Sequence, residues 1–280
     1  MGRVERFTPE SLEELAALLL AVDEGSRPLI HGTELTARIS PPVDGSLVLD
    51  LSRVPELNRL DFDERDGLRI GAAVSLGQVG AFAPTLSHYR GVADGFADCR
   101  RGGDGSTTLG EALSRPWATP GAILPLLCSQ AAVAVFGPYG WSELAIEVFC
   151  QPGRPACQFG EFVAHLGMPA PPPRSAGAYV SRTEAGGEVR ASSVLLAMED
   201  DLATCCGARV LCWAAEGWPE RAVESERLLA GRRLDELLLV RAGETAERIM
   251  ADPPGRAGVS GGLVGEALRL AWERVRPVGR

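Results

Sequence analysis

Lysine is missing from this 280-residue chain, whose 28 basic residues are all arginine. We read that as an effect of codon composition, because no physical requirement excludes lysine from every site. Histidine is scarce. His31, His88 and His165 are the whole supply, scattered too widely in the sequence to suggest a metal centre. No apolar run approaches the roughly 20 residues of a membrane-spanning helix. Met1-Gly2-Arg3-Val4-Glu5 has no apolar core of a signal peptide, so a cytoplasmic chain is expected. The seven cysteines cannot all pair, and none falls in a C-x-x-C spacing for zinc or an iron–sulfur cluster. Buried thiols in a reducing compartment are the expectation. Basic clusters are lacking too, and a net charge of -9 argues against nucleic acid and anionic membrane surfaces as partners. No Ser-His-Asp set or carboxylate pair can be argued from spacing.

What is present suits a well-packed protein. At 45% hydrophobic residues, the length accommodates one large domain or two ordinary ones. Thr8-Pro9-Glu10-Ser11 reads as a capped helix start, with Leu12, Leu15, Ala16 and Leu19 on one apolar face and Gly25 ending it. Strands are expected at Leu29-Ile30, over 47–51 and over 68–72, with a turn at 54–57 and a helix from about Ser75. Further on, a helix runs through Leu126-Leu127-Cys128, strands cover 131–136 and 144–149, and a short helix covers 159–166. The proline-rich stretch Gly167 to Ser175 is the clearest boundary, since proline at that density blocks helix and central strand alike. Beyond it, strands are expected over 178–183, 189–198 and 209–215. Helices follow over 219–232, from Leu234 and over 264–275.

Two glycine-bearing stretches are candidates for chemistry. Leu29-Ile30-His31-Gly32-Thr33-Glu34-Leu35 reads as a strand end that turns sharply. Glycine there lets backbone N–H groups approach phosphate oxygens, although such a turn often serves no ligand. The second stretch is Gly102 to Ala112, including Thr107, Thr108, Leu109 and Gly110, for which a flexible loop is the plain alternative. Cys99, beside Arg100 and Arg101, is the one thiol whose neighbours could lower its pKa; a buried, inert thiol is the ordinary reading. Trp213 and Trp218 flank the last sheet, where core packing is the ordinary role.

The order of these elements resembles the FAD-binding (medium, flavoprotein) subunit of the molybdenum hydroxylases, the carbon monoxide and xanthine dehydrogenase family. Phe7-Thr8-Pro9-Glu10-Ser11-Leu12-Glu13-Glu14, 47–57 and 68–76 match its F-x-P-x-S-L-E-E, L-V-D-L-S-x-I-P-E-L and L-x-I-G-A-x-V-T-L patterns. Gly32, Thr33 and Glu34 match its A-G-G-T-D-L loop, with His31 in place of the first glycine. Thr108, Leu109 and Gly110 match R-N-x-x-T-I-G-G-N, with Glu111 for the second glycine and Ala112 for the asparagine. Pro120 and Pro125 match S-P-x-x-D-L-P, with Ile123 in place of the aspartate.

The resemblance implies an α+β protein. A two-lobed FAD-binding domain would cover residues 1–168, a proline-rich linker 169–175, and a domain with a three-stranded antiparallel sheet and helices 176–280. It implies FAD held by Leu29 to Leu35, by Thr107 to Gly110 and by Pro120, with the departures weakening that hold. It also implies a molybdenum-bearing large partner and an iron–sulfur small partner, whose electrons pass through FAD to an external acceptor. A flavin-less structural subunit, or a binder of another phosphorylated ligand, are the alternatives.

Overall fold

Among the described residues three sheets organise the chain, and each follows from where its apolar residues fall. The computed structural model describes residues 5–21, 29–31, 47–114, 120–137, 139–151, 157, 161–183, 187, 189–213, 219–250 and 262–276. The first sheet is small and parallel. It contains β1 (Glu5–Phe7), β2 (Leu29–His31) and β3 (Leu47–Asp50), in the order β1-β3-β2, with α1 (Leu12–Ala21) between β1 and β2. The helix starts later than Thr8. Ser11 Oγ accepts the Glu14 N–H at 3.1 Å, and the Glu14 carboxylate accepts the Glu10 N–H at 2.8 Å. Pro9 disfavours helical backbone at Thr8, which leaves Ser11 as the cap. Leu12, Leu15 and Ala16 are buried, as the periodicity requires.

The second sheet contains β4 (Leu60–Asp63) and β5 (Gly67–Gly71), then β6 (Ala132–Gly137), β7 (Gly140–Ala145) and β8 (Phe162–Met168), ordered β4-β5-β8-β6-β7. Between β5 and β6 lie α2 (Leu76–Ala81), α3 (Ala83–His88), α4 (Arg90–Arg101), α5 (Leu109–Ser114) and α6 (Pro120–Cys128). A capping box at Ser75 opens α2: Ser75 Oγ accepts the Gln78 N–H at 3.2 Å, and Gln78 Oε1 accepts the Ser75 N–H at 2.9 Å.

Two expectations fail here. The stretch over 159–166 yields no helix in its described part. β8 instead runs antiparallel between β5 and β6, with the two faces of Phe162-Val163-Ala164-His165-Leu166 filling a sheet interior. A short apolar run carries no periodicity able to separate those two outcomes. The strand expected over 144–149 ends at Ala145 and turns into α7 (Ile146–Phe149), which buries Ile146 and Phe149.

After the proline-rich stretch comes the third sheet. Three long antiparallel strands, β9 (Ser175–Thr183), β10 (Val189–Met198) and β11 (Thr204–Trp213), form the expected core of it. The short β12 (Glu220–Arg221) and β13 (Arg232–Arg233) extend it along β11. The helix expected over 219–232 is shorter, α8 (Val223–Leu229), and Gly231 follows it with φ of 70°. α9 (Glu236–Met250) and α10 (Leu263–Val275) complete the chain.

Alternation along β10 makes this sheet two-faced. Val194, Leu196 and Met198 pack with Leu239, Val264 and Leu268 of α9 and α10, while Ala191 and Leu195 join the core built by the amino-terminal elements. Polar clamps pin the same face. Arg274 of α10 donates to both oxygens of Asp94 on α4, at 2.5 and 3.0 Å, and to Gly177 O at 2.8 Å. Tyr179 and Ser181 of β9 donate hydroxyls to Asp98 of α4 at 3.2 and 2.7 Å. Arg209 of β11 pairs with Glu147 of α7 and donates to Leu127 O at 3.2 Å.

Candidate functional site

The described part of the first glycine-bearing stretch forms β2, and the second stretch lies at the entrance to α5. Leu29, Ile30 and His31 form β2, and His31 pairs with Asp50 at the carboxyl edge of the parallel sheet. In open parallel sheets, that edge is where ligands collect. Gly32, Thr33, Glu34 and Leu35 lie outside the described residues.

The second stretch is a built turn. α4 ends on Gly102, and Asp104 N–H donates to Cys99 O at 2.8 Å. Thr107 N–H donates to Asp104 O at 3.0 Å, and Thr107 O accepts from Leu76 N–H at 2.9 Å. Thr108 forms a one-residue antiparallel bridge with Ser75 and opens α5, its Oγ1 accepting from Glu111 N–H at 3.3 Å. Thr107, Thr108 and Gly110 are partly exposed, whereas Leu109 is fully buried in the core.

Bare amides at Gly110 would be the obvious means of holding a phosphate, and the geometry removes them. Gly110 N–H donates to Ala72 O at 2.8 Å, and Leu109 N–H donates to Val74 O at 2.9 Å. The glycine has a packing reason instead. A Cβ at Gly110 would lie 3.2 Å from both Cβ and O of Ala72, just past β5, so a side chain there would crowd that contact. Glu111 stands partly buried in the first turn of α5, where a carboxylate suits the positive end of the helix dipole. An anionic ligand at that turn meets a negative charge already in place.

Pro120 opens α6 and is partly exposed. Ile123, three residues on, is not in a polar site. It is fully buried, in a helix whose residues Gly121 to Cys128 are all buried. α6 crosses α4 at a pair of glycines: a Cβ on Gly95 would sit 2.1 Å from Gly121 O.

Cys99 is buried, and its thiol is pushed up to about 12, by burial first and then by the charges of Asp98 and Asp104. Arg101 opposes that only weakly, so the thiolate needed for reactivity does not form near neutral pH. Trp213 is a core residue; Trp218 lies outside the described residues. Among the described residues, no group of His, Cys, Asp and Glu could hold a metal ion, and no helix is long and apolar enough to cross a membrane.

Spacing gave no hint of the Asp94–Arg274 and Asp98–Tyr179–Ser181 contacts, whose partners lie 180, 81 and 83 residues apart. It also missed His165, whose Nδ1 lies 3.2 Å from Arg69 Nη2. A guanidinium only donates, so Nδ1 is an acceptor and the ring is neutral. Burial, and then the Arg69 charge, bring its pKa down to about 4.

Residues 2–171 match the family model described as the FAD binding domain in molybdopterin dehydrogenase. No curated protein matches the chain. Among solved structures, a chain of the reconstituted CO dehydrogenase from Oligotropha carboxidovorans is 25% identical, with 98% of each chain covered and a TM-score of 0.73. A carbon monoxide dehydrogenase chain from Hydrogenophaga pseudoflava is 20% identical, covering 97% of this chain and 98% of that one, with a TM-score of 0.76. Quinoline 2-oxidoreductase from Pseudomonas putida 86 supplies a chain of the same fold, 20% identical over 98% of each chain, with a TM-score of 0.74. The chain belongs to the FAD-binding subunits of the molybdenum hydroxylases.

Proposed function

We propose that the chain serves a molybdenum hydroxylase assembly as its flavoprotein-type subunit, structural in role, with FAD held weakly. Its partners are a molybdenum-bearing large subunit and an iron–sulfur small subunit. Coverage of nearly the whole chain by the fold of such subunits supports membership of the assembly. The same reading divides the chain at 169–175, where the family match also ends.

One observation carries the weak hold: the α5 entrance, where the family's phosphate cradle would lie, is closed by its own chain. Leu109 and Gly110 have spent their amides on Val74 and Ala72, and Glu111 brings a carboxylate. The described residues therefore do not fit a tightly bound dinucleotide. What the entrance still offers is the partly exposed Thr107 and Thr108. A like charge about 4 Å from a phosphate costs ~1 kcal/mol in water and several-fold more when partly buried. A hydrogen bond not made costs about 0.5–1.5 kcal/mol more.

Isothermal titration of the purified chain with FAD tests this. The expected Kd is on the order of tens of micromolar, with Glu111→Gln tightening it about fivefold or more. Nanomolar binding by the unmodified chain would restore the electron-carrying reading. In that reading FAD passes electrons from the iron–sulfur partner to an external acceptor, which the retained strand end at His31 favours.

A further inference from the structure

At the other end of α4 from the α5 entrance, the proline-rich stretch, the start of α4, the end of α6 and β10 enclose a cavity of about 230 Å³. Its walls are apolar and stiff. Pro125, Pro169, Pro171 and Pro172 contribute to it, with Val92 and Leu195. Proline rings lose little freedom on binding, so such a slot is organised in advance. The hydroxyls nearby are already committed as donors: Ser129 to Pro125 O at 2.9 Å, Tyr89 to Pro169 O at 3.0 Å, and Ser193 to Ala178 O at 3.4 Å. A cavity of roughly 150 Å³ lined by aliphatic side chains takes up benzene, so a slot of this size suits a flat bicyclic or short-chain apolar body.

Beside it runs a second recess of about 330 Å³ between the α3–α4 junction, β9 and α10. Both are lined by His88 and Gly177, so the two adjoin there. This recess is basic. Arg274 is held by Asp94 and Gly177 O, but Arg90 has no carboxylate partner among the described residues. The Arg276 guanidinium lies 3.4 Å over the Trp272 ring, leaving its edge for a planar acceptor. Glu273 lines the same recess and opposes a multiply charged anion.

From this we infer that the slot and recess together bind a small carboxylate. Its apolar body lies among the prolines, and its single negative charge lies between Arg90 and Arg276. The site is separate from the α5 entrance and is independent of whether FAD binds.

The test titrates the full chain with 2-naphthoate, against 2-naphthamide and inorganic phosphate as controls, by calorimetry and ligand-observed NMR. Expected is one saturable site for naphthoate, at least about tenfold tighter than the amide, with phosphate not competing. Arg90→Ala with Arg276→Ala, both exposed in the parent, should erase that preference in a chain that still folds by circular dichroism, with a small drop in thermal midpoint from the lost Arg276–Trp272 contact. Leu195→Trp should fill the slot and abolish binding. Should that variant fail to fold, intermolecular NOEs from the naphthoate ring to Val92 and Leu195 methyls in the parent chain decide the same point. No saturable binding at millimolar naphthoate, equal binding of acid and amide, or NOEs absent from both methyls would overturn the proposal.

Discussion

Single residues decide most of what this site can do. Glu111 puts a carboxylate in the first turn of α5, and the Gly110 amide is engaged by Ala72 O. Ile123 is a different case. A glance at its position suggests that restoring the family's aspartate would restore a ligand contact, but its burial among α6 neighbours means Ile123→Asp would place a carboxylate in an apolar core. His165 yields a pH signature. Its folded pKa of about 4 lies below the ordinary value of 6.5, so the unfolded chain binds the proton first as pH falls. Stability is therefore complete above about pH 6.5 and is lost as pH drops through the window from 6.5 toward 4. His165→Gln should show a shallower fall of thermal midpoint across that window than the parent chain. Parallel curves would mean that the ring is protonated equally in both states.

Elements show what the sequence could and could not disclose. The period-3.6 pattern of α1 was legible because that helix buries one face, and β10 was legible as a strand although both of its faces are packed. β8 was not legible, because a strand buried between two neighbours leaves a continuous apolar run. Gly110 is a candidate ligand contact in the sequence, with a flexible loop as the alternative, whereas in the fold it packs against Ala72. A close backbone approach and a ligand cradle demand the same residue, so only coordinates separate them. For the α4–α6 crossing, Gly95→Ala would force a Cβ against Gly121 O and should cost about 1–3 kcal/mol of stability in denaturant unfolding. A change within a few tenths of a kcal/mol would mean that the helices can move apart freely.

At the scale of the whole molecule, the proline-rich stretch and the clamps across it act in opposite senses. Partly exposed residues 169–175 suit proteolytic attack near Arg174. Yet Asp94–Arg274, Asp98 with Tyr179 and Ser181, and Glu147–Arg209 hold β9, α10 and β11 to α4 and α7. Limited trypsin digestion should therefore give two fragments that still elute together on gel filtration, and that separate for Arg274→Ala at lower denaturant than for the parent. Initial cleavage inside 1–166 would contradict the division at the linker.

The central claim, a flavoprotein-type subunit that supports its assembly without a tightly held flavin, is tested most directly by composition. The measurement is the molar ratio of molybdenum, iron and flavin to this chain, after native isolation through a terminal affinity tag. The account predicts stoichiometric molybdenum and iron, with flavin well below one per chain. Stoichiometric flavin, or a chain isolated with neither metal, would contradict it.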